Sequence, residues 1–93
     1  MYKVYYSKGY KRDFKRLSCS GRFDRERLET VIKSLAKGES LAPSFRIHSL
    51  HGKLSGSLEC HIEPDLLLVY KKFDDILILN LVRLGSHSDI FDS

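Results

Sequence analysis

The four histidines of the 93-residue chain all lie after residue 47, among acidic residues that suit proton transfer. Imidazole titrates near neutral pH, so one histidine can act as a base and another as an acid, each worth about 10²- to 10⁴-fold in rate. The candidates for this catalytic work are His48, His61, Asp65 and His87, of which Asp65 could instead orient an imidazole and His48 has a structural role as an equal alternative. We expect the remaining histidine, His51, to be an exposed or structural loop residue.

Arg83 and Phe91 flank His87 and are candidates for binding a substrate. A guanidinium group can hold a phosphate through two hydrogen bonds and stabilise charge that builds on it in the transition state. The combination suits cleavage of RNA, in which the 2′-hydroxyl serves as nucleophile and neither a metal nor an enzyme nucleophile is required. Alternatively, Arg83 pairs with Asp65 or Asp89, and Phe91 covers the core.

A metal site is not expected from these residue types and spacings. Cys60, His61, Asp65 and His87 are acceptable zinc ligands, but the chain has no HExxH motif and no spaced Cys/His pair. Cys60 and His61 are adjacent in a predicted strand and therefore point to opposite faces. Cys19 and Cys60 form no CxxC motif, which favours reduced thiols. We expect no cofactor and no small-molecule ligand.

Sequence patterns predict the helices and strands that must position these residues, and together these elements indicate a single α+β domain over residues 1–93. Residues 2–6, "YKVYY", alternate as a half-buried strand does. Two helices follow, capped by Ser7 and Asp24, and the second ends at Gly38. Their apolar stripes consist of Tyr10, Phe14 and Leu17 in the first helix and of Leu28, Val31, Ile32 and Leu35 in the second.

The C-terminal half predicts three strands joined by short turns. The segments "SLECHIE", "LLLVYKK" and "ILILNLVRL" are strand-like, and short turns between consecutive strands require antiparallel pairing. We expect a mainly antiparallel four-stranded sheet that includes the first strand and carries the helical hairpin on one face. Before these strands lies a predicted loop with a possible short edge strand, and after them a possible short turn or helix.

The charge of the chain is unevenly divided. Residues 1–46 carry twelve Lys and Arg against five Asp and Glu, whereas residues 47–93 carry four against seven. Five cations share one face of the first predicted helix: Lys8, Lys11, Arg12, Lys15 and Arg16. This face suits a polyanionic partner such as RNA, although a solvated surface is an equal alternative. The longest apolar runs are too short to span a bilayer, so we expect a cytoplasmic protein without a membrane partner.

The motifs "IHSLHG", "ECHIEPDLLLVY" and "RLGSHSDIF", in this order, resemble the RelE superfamily of bacterial toxins, and within it the YafQ-like mRNA endonucleases. The resemblance covers nearly the whole chain. It implies the toxin of a type II toxin-antitoxin system, an mRNA interferase that acts in the ribosomal A site and is neutralised by an antitoxin. Carried over by motif, the active-site residues are His48, His61, Asp65, His87 and Phe91.

The resemblance also suggests roles for the other candidates. Arg83 would contact the scissile phosphate, Phe91 would stack on or position a base, and the five cations of the first helix would face ribosomal RNA. Three positions depart from residues common in the family: Ile47 replaces an acid, Leu58 an arginine and Leu66 a tryptophan. We expect Leu58 to remove a phosphate contact. The alternative function is that of a noncatalytic homologue that binds RNA or an antitoxin.

Overall fold

A five-stranded sheet forms the centre of the computed structural model, which describes residues 1–21 and 23–91. The strands are β1 (Lys3–Tyr6), β2 (His48–Ser49), β3 (Leu58–Glu63), β4 (Leu66–Phe73) and β5 (Ile78–Gly85). The helices are α1 (Lys8–Ser20), α2 (Arg25–Ala36) and α3 (His87–Phe91). The predicted α+β class is therefore confirmed, and α3 is the predicted C-terminal helix.

The strands lie in the order β1-β5-β4-β3-β2. Strands β3, β4 and β5 form the predicted antiparallel meander, while β1 pairs with β5 in parallel because α1 and α2 carry the chain back across the sheet. The sheet has five strands rather than the predicted four. The additional strand is β2, a two-residue edge strand that pairs with β3 inside the segment predicted to be a loop with a possible short edge strand.

Local sequence sets the ends of the two long helices. The hydroxyl of Ser7 accepts a hydrogen bond from the backbone N–H of Tyr10, and the carboxylate of Asp24 accepts one from the N–H of Arg27, as predicted for these two caps. Helix α1 ends at Gly21, whose φ of 65° is left-handed and favours glycine. These caps fix where the helical hairpin begins and turns.

The two faces of the sheet bury different sets of side chains. In β4, Leu68 and Tyr70 belong to the core beneath α1 and α2, whereas Leu67 and Val69 face the opposite side. On that side Ile90 of α3 packs against Leu67 and Val69. We call it the α3 face; the meander thus has helices on both faces, and the candidate histidines belong to the α3 face.

Strand β5 is shorter than the sequence predicted. The apolar run was assigned to one strand from residue 76, but Ile76 and Leu77 lie in the turn before it and are 60% and 47% exposed. Leu77 has a φ of 52°, which ladder pairing does not accommodate. Cys19 is exposed and Cys60 is buried, and the structure pairs neither in a disulfide. Within the described residues, no helix is long and apolar enough to cross a membrane.

Candidate active site

The register of β3, β4 and β5 brings the two C-terminal motifs to one end of these strands. His61 of β3 lies opposite Leu67 of β4, and Leu67 lies opposite Gly85 of β5. Because neighbouring strands are spaced by about 4.8 Å, the backbones at His61 and Gly85 are about 10 Å apart. His87 follows Gly85 by two residues at the start of α3. Both motifs therefore lie at the same end of the sheet.

Two of the predicted histidines, His48 and His61, form a cluster with Glu59, an acid that was not among the predicted residues. Nε2 of His48 lies 3.0 Å from Oε1 of Glu59, and Nε2 of His61 lies 3.6 Å from the same oxygen. The side chain of Glu59 is 4% exposed, against 53% for His48 and 21% for His61. Period-two alternation in "LECHIE" puts Glu59 and His61 on one face of the strand, and this pattern could have predicted Glu59 from the sequence.

This cluster can move protons and can also bind a cation. One ligand atom from each of His48, Glu59 and His61 lies within 4.8 Å of the other two, and these are residue types that bind zinc or copper. From the sequence, no metal site was expected at a different set of residues, Cys60, His61, Asp65 and His87. Cys60 packs in the core beneath the long helices, as the alternation of neighbouring strand residues predicts. Glu59 and His48 were not in that set.

His87 stands apart from this cluster, on the first turn of α3. Its exposed ring lies 4.6 Å from the ring of Phe91, centroid to centroid, one turn further along. Ser86 fixes the start of the helix: its hydroxyl accepts from the N–H of Asp89, and its own N–H donates to the Asp89 carboxylate at 3.2 Å. A side chain at Gly85 would bring Cβ within 3.0 Å of Cβ of Asp89, so this position requires glycine.

Arg83 is anchored by an acid from the other end of the chain. Its Nε donates to Oδ2 of Asp13 at 2.7 Å, and Nη2 donates at 3.4 Å both to Oδ1 of Asp13 and to the main-chain oxygen of Asp89. From the sequence, Asp65 or Asp89 was the alternative partner; the ion-pair partner is Asp13 instead, and Asp89 contributes only its main-chain oxygen. The sequence feature that could have indicated Asp13 as the partner is its position within the apolar stripe of α1, where it is fully buried.

The Asp13 carboxylate is held in its charged form. Burial alone would raise the pKa of Asp13, but hydrogen bonds from Arg83 and from the N–H of Leu84, with the charges of Arg83 and Arg16, lower it below its ordinary value. Arg16 donates to Asp13 at 3.2 Å and to Asp89 at 3.3 Å. Helix α1, β5 and α3 are therefore joined around one buried charge.

The predicted residues do not line one cavity. A pocket of about 390 Å³ is lined by His51, Lys53, Leu54, Arg83, Ile90 and Phe91. Asp65 lies in the β3–β4 turn and lines a different pocket, of about 460 Å³, with Ser86 and Asp89. His61 borders a third pocket of about 240 Å³ with Arg27 and Arg46. Lys53 was not predicted, and His51 is exposed as expected.

The five predicted cations of α1 are all exposed, which suits contact with a polyanion. One of the five, Arg16, pairs with Asp13 and Asp89. Its guanidinium is thus shared between this network and solvent, with 48% of the side chain exposed. Contact with ribosomal RNA stays a prediction.

The sequence and structure resemble those of known bacterial toxins. Residues 2–92 match the family described as "Bacterial toxin of type II toxin-antitoxin system, YafQ". The mRNA interferase toxin YafQ of Escherichia coli strain K12 is 30% identical over 89 residues, which span 95% of this chain and 94% of that protein. A copper-bound mutant toxin from Helicobacter pylori is 45% identical with a TM-score of 0.88, covering 98% of this chain and 100% of that one.

One similar structure comes from a complex. In the E. coli DinJ-YafQ toxin-antitoxin complex, the matching chain is 30% identical with a TM-score of 0.83, and the alignment covers 97% of each chain. The sequence match spans almost all the described residues and agrees with the fold, which confirms the resemblance drawn from the three motifs. The chain therefore belongs to the YafQ family of bacterial toxins of type II toxin-antitoxin systems.

Proposed function

We propose that this chain is a ribosome-dependent mRNA endonuclease that cleaves by metal-independent acid-base catalysis. As a member of the YafQ family, it is a toxin and an endoribonuclease of the mRNA interferase type. The observation that supports the finer proposal is the register across β3, β4 and β5. It brings His61 and Gly85, which precedes His87 by two residues, to one end of the sheet, with their backbones about two strand spacings apart.

The proposed chemistry uses the 2′-hydroxyl of the substrate as nucleophile. A base removes its proton, the hydroxyl oxygen attacks the adjacent phosphorus, and an acid protonates the departing 5′-oxygen. The base and acid must therefore reach opposite sides of the phosphate. His48 and His61 would act from one side and His87 from the other.

Substrate binding would come from the pocket next to α3. Arg83 and Lys53 supply positive charge for the scissile phosphate, and the ring of Phe91 is 37% exposed, which leaves area for a base to stack. Because Asp13 and the Asp89 oxygen take up Nε and Nη2 of Arg83, Nη1 is the atom proposed to face the phosphate.

Asp65 is proposed as a further acid-base residue, but not as an orienting partner for imidazole. Among the described residues, no hydrogen bond or ion pair joins Asp65 to a histidine. It is exposed in a turn beside Ser86 and would have to act on the substrate directly.

The partners follow from the same proposal. A cognate antitoxin is the expected protein partner, by similarity to the toxin in the DinJ-YafQ complex. The ribosome and mRNA are the proposed target, with Lys8, Lys11, Arg12, Lys15 and Arg16 facing ribosomal RNA. Action on translating ribosomes requires a cytoplasmic location.

The test is transcript 5′-end mapping after brief induction in cells that lack the antitoxin. Wild type should produce new ends in coding frame, and His87→Ala should lose them by at least 100-fold. Lys33→Ala, on the exposed side of α2, is the matched control and should cut like wild type. Circular dichroism confirms that each variant is folded. Ends that persist in His87→Ala would refute the role of His87, and cleavage of purified mRNA without ribosomes would refute ribosome dependence.

A further inference from the structure

We infer that Arg27 and Arg46 together form a subsite for one phosphate of the RNA substrate, the neighbour of the scissile phosphate. The inference rests on the proposed nuclease function and adds to it a pair of residues that bind RNA without taking part in the chemistry. Both side chains line the pocket of about 240 Å³ that His61 borders. Pockets for drug-sized ligands measure about 300 to 1,000 Å³, so this smaller pocket suits a small anion such as a phosphate group.

The charge of this pocket favours an anion. Within the described part of the chain, neither the Arg27 nor the Arg46 side chain is paired with a carboxylate. Of the described residues that line the pocket, Glu63 alone is acidic, and its Oε2 accepts a hydrogen bond from the backbone N–H of Asp24 at 3.0 Å. Two guanidinium groups against one carboxylate leave the lining with a net positive charge, which attracts phosphate.

The guanidinium group of Arg27 is already held in place. Its Nε donates a hydrogen bond to the main-chain oxygen of Ile62 on β3. Its central carbon lies 5.0 Å from the centre of the Phe45 ring, in a cation-π contact. Because Nε is used in this way, Nη1 and Nη2 are the atoms proposed to face the phosphate, and their planar geometry matches two phosphate oxygens. An arginine fixed before binding loses little conformational freedom when its ligand arrives.

Arg46 reaches the same pocket from a tight turn. It ends the short 3₁₀ helix Pro43–Phe45 with a φ of 51°, in the left-handed region that long side chains adopt uncommonly. The turn leads within two residues to His48 at the start of β2. Ser44 also lines the pocket, and its hydroxyl can donate a further hydrogen bond to a phosphate oxygen. The backbone therefore joins this subsite directly to the histidine cluster.

A neighbouring phosphate is the expected ligand because the scissile phosphate has its own pocket. In the proposed function the scissile phosphate lies beside Arg83, in the pocket next to α3. Among the described residues, that pocket shares no lining residue with the pocket of Arg46. The segment from Arg46 to Lys53 runs from one pocket to the other, and His48 lies between them in the sequence. An RNA backbone that follows this segment would place one phosphate in each pocket.

The first experiment measures the affinity of the purified chain for a single-stranded RNA hexamer in which every 2′-hydroxyl is methylated, so that it cannot be cleaved. Fluorescence anisotropy follows binding between about 50 and 200 mM salt. Each phosphate contact with a single strand contributes about −0.7 to the slope of log K against log salt. Because both arginines hold the same phosphate, Arg27→Gln/Arg46→Gln should make the slope shallower by about 0.7 and weaken binding about fivefold at about 0.1 M salt.

Glutamine is chosen because its amide can still donate to the Ile62 oxygen, so the link to β3 is kept while the charge is removed. Arg25→Gln/Lys33→Gln is the matched control, since it removes two exposed cations of α2 that lie outside the pocket. The control should have the slope of wild type, and circular dichroism confirms that each protein is folded. A wild type that does not bind the hexamer, or an equal change in both double variants, would overturn the subsite. A slope shallower by about 1.4 would assign the arginines to two phosphates and overturn the shared site.

A second measurement locates the contact on the RNA. One methylphosphonate at a time is placed along the hexamer, which removes the charge of a single phosphate. Wild type should lose affinity at two adjacent positions, and Arg27→Gln/Arg46→Gln at only one of them. The same two sensitive positions in both proteins would refute the inference. A wild type without any sensitive position would also refute it, because the arginines would then serve a surface other than RNA.

Ribosome-dependent cleavage separates failure of the subsite from failure of the proposed function. A contact with a phosphate that does not react stabilises the bound substrate and the transition state equally, so Arg27→Gln/Arg46→Gln should raise KM and leave kcat unchanged. A lower kcat at unchanged KM would place the arginines at the reacting phosphate and overturn the subsite. If wild type does not cleave mRNA on ribosomes while the difference in hexamer binding persists, the proposed function fails and the phosphate site stands.

Discussion

Replacing Asp13 should destabilise the domain far more than replacing any exposed acid. Asp13 is fully buried and accepts hydrogen bonds from Arg83, Arg16 and the N–H of Leu84. Asp13→Ala leaves Arg83, whose side chain is only 21% exposed, beside a cavity without its counter-charge. Breaking a buried pair in this way costs about 3 to 5 kcal/mol. We expect about 3 kcal/mol, because Arg83 retains some contact with water.

The assay is urea unfolding followed by circular dichroism. Glu29→Ala is the control, since Glu29 pairs with Arg25 on the surface, both are more than half exposed, and such pairs contribute about 0.3 to 0.5 kcal/mol. The double variant Asp13→Ala/Arg83→Met removes the stranded charge and should recover part of the loss. An Asp13→Ala variant that loses less than about 1 kcal/mol would refute the idea that this charge joins α1 to β5.

Two further predictions come from titratable groups. The pKa of Asp13 is lowered in the folded protein, so the stabilising effect of its charge is present above the unfolded pKa of about 3.9 and is lost as pH falls through the folded pKa. The difference in urea midpoint between wild type and Asp13→Asn should therefore shrink below about pH 4. A difference that stays constant with pH would contradict this. Burial raises the pKa of the Cys60 thiol to about 12, whereas Cys19 is exposed. At pH 8 a thiol reagent should therefore label only Cys19 in the folded protein and both cysteines in urea. Rapid labelling of two thiols without urea would contradict the buried position of Cys60.

Local sequence patterns were sufficient to predict the long helices, the C-terminal strands and their antiparallel meander. Period-two alternation and short turns determine β3, β4 and their antiparallel pairing, and capping residues determine where α1 and α2 begin. The parallel pairing of β1 with β5 joins residues more than 70 positions apart, and no local pattern contains that information. Strand β2 has only two residues, which is too short for any period to appear.

The candidate site was predictable in part. The sequence supplied the histidines, and alternation could have supplied Glu59, because it shares a face with His61. The anchoring of Arg83 was not predictable from the C-terminal motifs, since its partner lies 70 residues earlier on α1. A charged residue inside an apolar stripe indicates that a partner must exist, but not which one, because the partner depends on how the helix packs on the sheet.

Two of the three departures from the family pattern, Leu58 and Leu66, act through the fold rather than at the histidines. Leu66 is 5% exposed and belongs to the core beneath α1 and α2, and Leu58 packs against that same core. Both therefore face away from the side on which Glu59 and His61 lie. A side chain at position 58 would have to leave this packing to reach a phosphate at the cluster, which contradicts our expectation that Leu58 removes a contact there.

Ile47 differs from the other two departures. It is 42% exposed and directly precedes His48, so its apolar side chain lies outside the core. An acid at this position would add a carboxylate next to His48 in the sequence, and isoleucine leaves Glu59 as the sole acid of the cluster within the described residues. Of the three departures, Ile47 is therefore the one able to change the chemistry of the histidines, while Leu58 and Leu66 chiefly affect the stability of the sheet that carries them.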